Sequence, residues 1–204
     1  RLNLVNKDNC KHLLKKIKNK YFTLNNNIEN LAFAYQIIKK LKIKDSVVVK
    51  ALNKFKGLPH RQETIISNNR ILCINDSKAT SFDASLQSLL SFNKIYWIVG
   101  GLPKYQDHFN LKKVSKKIIK AYIIGKKTNF FRKQIKNKAT YKISHNLRNA
   151  IHDIKNDIKK NIKNKNTILF SPAAASFDQF DNFESRGLHF KKLANKMLGK
   201  KFDV

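Results

Sequence analysis

The feature that most constrains the fold is an alternation of short apolar runs with longer segments of helical periodicity, which begins after Gly57-Leu58-Pro59. Strand candidates lie at 70–74, 95–99, 121–124, 140–143 and 167–170. Helix candidates lie between and after them, at about 82–92, 110–119, 129–136, 145–163 and 182–198. Because parallel strands need a crossover, usually a helix, this alternation predicts an α/β fold with a mainly parallel sheet.

The residues ahead of this break have a helical pattern. From Ile28 onward, apolar residues recur at spacings of three and four, at Leu31, Ala34, Ile37, Ile38 and Leu41. Asp45 then occupies an N-cap position for a second short helix, and the sequence also allows a helix across 10–18. Gly57 and Pro59 end the pattern, so we expect one domain in residues 1–57 and another in residues 58–204.

The chain carries a formal net charge of +30, with 43 Lys and Arg against 13 Asp and Glu. Such a charge is typical of nucleic-acid-binding proteins. Only 6 of the basic residues are Arg, whereas readers of phosphates and bases rely on the bidentate Arg fork. The lysines are spread among Asn and Ile, as in proteins from AT-rich genomes. We therefore expect no nucleic-acid partner and keep a basic polyanion-binding module as the alternative function.

Other global features bear on location. No apolar run is long enough for a membrane span, and the basic N-terminal segment lacks the apolar core of a signal peptide. Cys10 and Cys73 form neither a CxxC pair nor a disulfide framework. The sequence thus predicts no membrane association and a cytoplasmic location. Because the chain starts with Arg1 rather than Met, we expect a fragment of a longer protein.

Polar residues collect directly after three of the predicted strands. NDSKAT (75–80) follows the first, GGLPK (100–104) follows the second, and SPAAASFD (171–178) follows the last. Because the carboxyl ends of parallel strands share one edge, where such sheets bind ligands, we expect these three loops to build one site.

The residues in these loops point to anion binding. Lys78 and Lys104 supply ammonium groups, and the adjacent glycines allow close backbone approach. Helices expected to begin after Thr80 and Ser176 would offer free N–H groups to a carboxylate or phosphate. Together these groups suit a doubly anionic small molecule, and Arg61 adds a guanidinium at the domain boundary, a usual place for a ligand cleft.

Several common sites are excluded by spacing. None of the glycines opens a GxxxxGK[ST] P-loop, and the chain has no GxGxxG. The histidines lack HExxH or HxxxH spacing, so we expect no metal site. Ser171 and Ser176 lack the glycines of a serine-hydrolase nucleophile elbow.

Four ordered motifs resemble the Mur ligases of peptidoglycan synthesis, most closely the members that add D-glutamate. They are GLPHRQE at 57–63, INDSKAT at 74–80, GGLPK at 100–104 and SPAAASFDQFDNFESRGLHF at 171–190. The resemblance runs from Asn26 to the C-terminus. Asn26 stands where the family's helical HNxxN pattern has His, and Leu102-Pro103 departs from the family's more polar loop.

The resemblance implies a domain arrangement and an activity. Residues 1–57 would be the helical tail of a central ATPase domain, and residues 58–204 a Rossmann-like C-terminal domain. The missing N-terminal and central portions would lie upstream of Arg1. The implied enzyme is an ADP-forming ligase, a cytoplasmic monomer that adds D-glutamate to UDP-N-acetylmuramoyl-L-alanine through an acyl phosphate. It would use ATP and Mg²⁺, with the magnesium ligands upstream of this chain.

The same resemblance implies roles for individual residues. D-glutamate would be held by Lys78, Thr80, Lys104, Ser176, Phe177 (through its backbone) and Phe183. ATP would be contacted by Asn27, Asn30, Arg61 and Asp76, with the two asparagines near the adenine and ribose. Lys78 and Asp76 are the expected catalytic residues. Because the P-loop is missing, we expect the isolated chain to be inactive; a folded but decayed or split ligase is a further alternative.

Overall fold

The computed structural model describes residues 4–23, 25–160 and 165–199, and the chain divides into two compact units, Arg1–Gly57 and Leu58–Val204. The first unit is helical and the second is α/β. No helix within the described ranges is long and apolar enough to cross a membrane. The assignment of the two units to Mur ligase domains stays a prediction.

The first unit consists of α1 (Lys11–Leu14), α2 (Asn25–Lys40) and α3 (Asp45–Lys54), with 3₁₀ turns at Lys7–Cys10 and Lys20–Thr23. The helix expected across 10–18 is thus reduced to the single turn of α1. A small core holds the unit together, formed by Cys10, Leu13, Phe22, Leu31, Ala32, Tyr35 and Val48.

Two expectations for this unit are wrong. Ile37 and Leu41, predicted on the apolar face, are 63% and 65% exposed, whereas Tyr35 is buried. The Tyr35 ring can be buried because its hydroxyl donates to Asp45 at 2.7 Å. Asp45 is the first residue of α3 rather than its N-cap, which is Lys44.

The second unit alternates strands and helices along the chain. In order these are β1 (Glu63–Ser67), β2 (Ile71–Asn75), α4 (Phe82–Ser91), β3 (Ile95–Gly100), β4 (Ile118–Ile124), α5 (Thr128–Ile135), β5 (Tyr141–His145), α6 (Leu147–Lys160), β6 (Asn166–Phe170) and α7 (Phe183–Leu198). All strand candidates and all but one of the helix candidates coincide with these elements, so the predicted α/β fold is confirmed. Residues 161–163 of the candidate at 145–163 lie outside the described residues.

The six strands form one sheet in the order β1-β2-β6-β3-β4-β5. β1 runs antiparallel to β2, and each other neighbouring pair is parallel. The mainly parallel sheet is therefore confirmed. β1 was missed because it is an edge strand of partly exposed residues, ETIIS, without the apolar run of a buried strand.

Helices cover both faces of the sheet. α6 and α7 pack on the face that carries Tyr96 and Ile98 of β3, and α4 and α5 pack on the face that carries Trp97 and Val99. Since successive strand residues point to opposite faces, every residue of β3 is buried. The carboxyl end of β3 is thus held from both sides, between β6 and β4.

The prediction of a helix at 110–119 is wrong. This segment forms turns and one 3₁₀ turn at Ser115–Lys117 before β4 begins. Its apolar residues Leu111 and Val114 instead cover the sheet, since they and the preceding Phe109 are buried with Trp97. The Phe109 ring also stacks on Phe82 with centroids 4.4 Å apart. Tertiary packing here overrides a spacing of apolar residues that is typical of a helix.

Candidate functional site

The loops after β2, β3 and β6 meet at one edge of the sheet, as the parallel order predicts. The Asp76 N–H donates to the Phe170 carbonyl at 2.7 Å, and the Gly100 N–H donates to the Pro172 carbonyl at 2.9 Å. Leu102 and Ala175 exchange two backbone hydrogen bonds of 2.9 Å in a short antiparallel bridge. We call residues 75–80, 100–104 and 171–178 the strand-end site.

Gly100 and Gly101 make this close approach possible. Their φ angles are +138° and +137°, a region that favours glycine. A Cβ on Gly100 would overlap the Ile124 carbonyl oxygen, and one on Gly101 would overlap the Ala175 carbonyl oxygen. The glycine pair is therefore required by the protein's own neighbouring backbone.

Asp76 lies beneath these loops, with only 6% of the residue exposed. Its Oδ2 accepts from the Ser88 hydroxyl at 2.6 Å and from the Ser171 hydroxyl at 2.8 Å. Its Oδ1 accepts from the Gln62 backbone N–H at 3.2 Å. These bonds anchor the first loop to α4 and to the loop after β6. The ATP contact and catalytic role expected for Asp76 stay predictions.

Burial raises the pKa of Asp76 to about 6, while the two hydroxyls, the Gln62 N–H and the charge of Arg61 oppose that rise. The carboxylate is therefore mainly ionised at neutral pH, and the surrounding donors hold its charge. Ser171 is in turn fixed by the core, because its carbonyl accepts from the Trp97 indole N–H at 2.7 Å.

Lys78 and Phe183, both predicted to hold D-glutamate, are in direct contact. The Lys78 Nζ lies 3.7 Å from the centroid of the Phe183 ring, which is a cation–π distance. None of the ion pairs among the described residues includes Lys78. The ammonium is thus held in place while its charge has no carboxylate partner within that part of the chain.

His60 packs against this pair and was not expected to matter. The residue is 6% exposed, its ring meets Phe183 edge-on with centroids 6.3 Å apart, and its carbonyl accepts from the Lys78 N–H at 3.0 Å. The Asn75 Nδ2 lies 3.0 Å from His60 Nδ1 and donates to the Gly187 carbonyl at 3.2 Å. A Cβ on Gly187 would overlap this ring, and so α7 can approach only with glycine there.

Thr80 is half-buried and lies two residues before α4. The free N–H groups predicted at this helix start are partly taken, so that expectation is wrong for two of them. The Ala84 N–H donates to the hydroxyl of the N-cap Ser81 at 3.4 Å, and the Phe82 N–H donates to Asp107 at 3.2 Å.

Lys104 is exposed at the end of the glycine loop. Its carbonyl accepts from the Asp107 N–H at 3.2 Å, and the Asp107 side chain bonds to the start of α4. Asp107 therefore links the Lys104 loop to the helix that follows Thr80. The described ion pairs do not include Lys104.

The loop after β6 differs from its prediction, because no helix begins directly after Ser176. The Ser176 carbonyl closes a turn with the N–H groups three and four residues on, and α7 begins at Phe183 with Asn182 as its N-cap. Ser176 is 2% exposed, whereas Phe177 is 69% exposed. Two of the N–H groups expected to face a ligand are thus used inside this turn.

The residues predicted to contact ATP lie in both units. In the second unit Arg61 is exposed, and its charge acts on Asp76. In the first unit the Asn27 amide donates to the Tyr21 carbonyl at 2.7 Å, and Asn30 is exposed on α2. The side chain of Asn26 lies outside the described residues. These contacts stay predictions.

Sequence reasoning missed Arg186, which is 1% exposed. Its Nε and Nη2 donate to the hydroxyl and the carbonyl of Ser77 at 3.0 and 2.8 Å, and its Nη1 donates to the Ala174 carbonyl at 3.0 Å. The available signal was an arginine inside a matched motif, in a chain that otherwise uses lysine almost everywhere.

The chain is similar in sequence to known proteins. No protein-family model matches the chain, but curated relatives do, and they are ligases. The chain is similar to these ligases over 80% or more of its length, which agrees with the resemblance of the four motifs to Mur ligases.

In particular, its relatives are UDP-N-acetylmuramoylalanine–D-glutamate ligases. The enzyme of Wolbachia sp. subsp. Brugia malayi is 40% identical over 174 residues, which cover 85% of this chain and 35% of that enzyme. The enzyme of Rickettsia felis is 37% identical over 179 residues, which cover 87% of this chain and 40% of that enzyme. The enzyme of Bartonella henselae is 39% identical over 164 residues. The chain thus spans between 35% and 40% of the length of these relatives.

Among solved structures, the murein peptide ligase mpl from Psychrobacter arcticus 273-4 matches with a TM-score of 0.48 and 14% identity. That match covers 87% of this chain and 37% of the other.

Proposed function

We propose that this chain forms the amino-acid-binding part of a ligase that adds D-glutamate to UDP-N-acetylmuramoyl-L-alanine. The observation that carries the proposal is the Lys78 ammonium, held 3.7 Å from the Phe183 ring centroid at the edge where three strand-end loops meet. A partly buried cation without a carboxylate neighbour suits an anionic ligand. The names of the sequence relatives supply D-glutamate as that ligand.

Each residue of the proposed site has a distinct task. Lys78 and Lys104 bind the two carboxylates of D-glutamate as charge-assisted donors. Thr80 and Ser176 supply hydroxyl groups, and Phe177 supplies backbone polar groups. Phe183 fixes the position of the Lys78 ammonium. These contacts orient the ligand's amine, which is mostly positional catalysis.

In the complete enzyme, the proposed reaction begins when the carboxylate of UDP-N-acetylmuramoyl-L-alanine is activated as an acyl phosphate. The D-glutamate amine attacks the acyl carbon, the tetrahedral intermediate collapses, and phosphate leaves as the amide bond forms. Arg61, Asp76, Asn27 and Asn30 are proposed contacts for ATP. The enzyme is proposed to act as a cytoplasmic monomer.

The residues of this chain do not fit the metal and triphosphate sites of that reaction. In residues 4–23, 25–160 and 165–199, no group of three or more His, Cys, Asp or Glu side chains is placed to hold a metal ion. The sequence has no GxxxxGK[ST]. We therefore assign the Mg²⁺ ligands and the P-loop to the remaining portion of the enzyme, and we assign no step in this chain to them.

The proposal is tested by titrating D-glutamate into the 204-residue chain and following backbone amide resonances by NMR. We expect saturable shifts at Lys78 and Ser176, and weaker binding of L-glutamate. We also expect no ATP-dependent ligation by the chain alone. Absence of saturable D-glutamate binding to the folded chain would overturn the proposed function.

Replacing Lys78 by alanine is expected to weaken D-glutamate binding by roughly tenfold to 150-fold. Loss of a charge-assisted contact costs about 1.5–3 kcal/mol, which corresponds to that range. Lys104→Ala should act in the same direction with a smaller effect, because Lys104 is exposed. Calorimetric titration of each variant gives the dissociation constants.

Lys192→Ala is the matched control for this prediction, because Lys192 is an exposed lysine on α7 outside the strand-end site. Its dissociation constant should stay within about twofold of the unaltered chain's. Equal affinities for Lys78→Ala and Lys192→Ala would show that Lys78 does not bind the ligand.

The net charge of +30 favours polyanion binding as a second candidate function. A protein that contacts many phosphates loses affinity steeply as salt rises, by about 10³-fold or more between about 50 and 200 mM. We expect only weak binding of a fluorescent oligonucleotide, with a shallow salt dependence. A steep dependence together with absent D-glutamate binding would favour the second function.

A further inference from the structure

We infer that Arg186 is the positioning residue of the strand-end site and that its buried charge gives the site a preference for a ligand with two carboxylates. This inference rests on the proposed function. Its starting point is a guanidinium on the first turn of α7 that bonds to two of the three loops and lies beside the third.

Arg186 fixes the first loop through Ser77. The Ser77 hydroxyl accepts from Arg186 Nε at 3.0 Å and donates to the Phe183 carbonyl at 2.8 Å, while the Ser77 carbonyl accepts from Arg186 Nη2 at 2.8 Å. The next residue along the chain is Lys78, whose ammonium rests on the Phe183 ring. Ser77 is fully buried, so the start of the Lys78 backbone is set by α7.

Arg186 also bonds to the loop after β6 and lies beside the glycine loop. Its Nη1 donates to the Ala174 carbonyl at 3.0 Å, directly ahead of the Leu102–Ala175 bridge. A Cβ on Gly101 would lie 3.3 Å from Nη1, so the glycine loop passes against the guanidinium. The planar fork of arginine can serve several carbonyls at fixed angles, which a lysine ammonium cannot do.

The charge of Arg186 is buried. The six ion pairs among the described residues do not include it. Burial lowers its pKa to about 10, with the Asp178 charge opposing, so the guanidinium stays charged at neutral pH. Its Cζ lies 5.9 Å from the Phe170 ring centroid. Carbonyls and a ring satisfy its donors without neutralising the guanidinium, which keeps its positive charge beside Ser77 and Ala174.

A positive charge in a poorly solvated place acts on a ligand that Arg186 does not touch. This charge should favour D-glutamate over D-glutamine, which has one carboxylate fewer.

The positive charge of Arg186 and its planar fork of donors can be removed separately. Arg186→Lys keeps the charge without the fork, and Arg186→Met removes both. Arg148→Met, at an exposed position on α6, removes one charge elsewhere and serves as the control.

The experiment measures two quantities on the full chain and these three variants, each first shown to be folded by circular dichroism. One is the ratio of D-glutamine to D-glutamate dissociation constants. The other is hydrogen exchange of the Leu102 and Ala175 amides, which needs no ligand. Arg186→Met should lower the ratio roughly tenfold and speed this exchange. Arg186→Lys should speed the exchange while keeping the ratio within about twofold, and Arg148→Met should change neither.

Each other outcome has a definite meaning. If Arg186→Met weakens both ligands equally, the assigned preference is wrong, because a purely structural effect leaves the ratio unchanged. Unchanged exchange in both Arg186 variants overturns the positioning role while the proposed function stands. If the unaltered chain binds neither ligand, the proposed function fails and the preference fails with it, whereas the exchange data still decide the positioning role.

Discussion

Replacing Gly100 by alanine is expected to lower the free energy of unfolding by roughly 4 kcal/mol, combining overpacking with a strained φ. The added Cβ would overlap the Ile124 carbonyl oxygen and lie 2.8 and 2.9 Å from the backbone carbon and nitrogen of that residue. Gly100 pairs with Ile124 in the β3–β4 ladder, so the clash cannot be relieved by turning a side chain. Its φ of +138° is unfavourable for alanine as well.

Urea unfolding followed by Trp97 fluorescence measures this effect, because the chain has a single Trp, which lies on the same strand as Gly100. Gly57→Ala is the matched control. Gly57 also has a positive φ, +85°, but an added Cβ would meet only ring atoms of Tyr21 at 3.1 Å. We expect a loss of about 1 kcal/mol there, by circular dichroism. Similar losses for the two variants would mean that the β3–β4 backbone yields more readily than the geometry indicates.

Asp76 alone should lower the free energy of unfolding by between about 2 and 3 kcal/mol as the pH rises from about 4 to about 7. Burial raises its pKa from 3.8 to about 6 in the folded chain. Between these values the folded chain holds a proton that the unfolded chain has released. The stability that this proton contributes is fully present below the unfolded pKa and is lost as the pH passes the folded pKa.

Other carboxylates act in a lower pH range. The pKa values of Glu63 and Asp157 are lowered, since donors from Lys191 and Lys120 outweigh the effect of burial. Their contribution is present above the unfolded pKa and is lost only as the pH falls through the folded one. The interval from about pH 4.5 to 7 therefore separates the titration of Asp76 from that of these two carboxylates.

The measurement is urea unfolding at several pH values for the unaltered chain, Asp76→Asn and the control Asp83→Asn. Asp83 is an exposed carboxylate on the first turn of α4. Asp76→Asn should remove most of the decline in stability over this interval, because the amide does not titrate, and Asp83→Asn should keep it. A decline of equal size in all three proteins would contradict the assignment to Asp76.

The order of strands and helices could be predicted because each buried parallel strand is a run of apolar residues. Such a run can be recognised in the sequence without knowing which strands lie beside it. β2, β3 and β6 gave such runs, and the polar residues behind them marked the edge where their loops meet. β1 left no such signal, since its pairing with β2 depends on a sheet that already exists. The segment at 110–119 failed for a related reason, because Phe109 and Val114 serve the sheet face rather than a helix.

The candidate site could be predicted only at its surface. Lys78 and Lys104 are recognisable because ammonium groups at strand ends are unusual, and four motifs carried the family roles. Arg186 and His60 could not be found in this way, since their importance comes from burial and from partners far away in the sequence. The burial of Asp76 could not be predicted for the same reason, because nothing in NDSKAT indicates that Ser88 and Ser171 donate to its carboxylate.

The glycines of the strand-end site have a consequence for how descendants of such a chain would diverge. Gly100 and Gly101 lie against Ile124 and Ala175, which belong to the protein itself, whereas Lys78 and Lys104 have no carboxylate partner among the described ion pairs. A lineage that lost the proposed ligation would still be selected to keep both glycines for folding, while its lysines would be free to drift. Retention of Lys78 and Lys104 in related sequences, rather than retention of the two glycines, would therefore indicate that ligand binding is still selected.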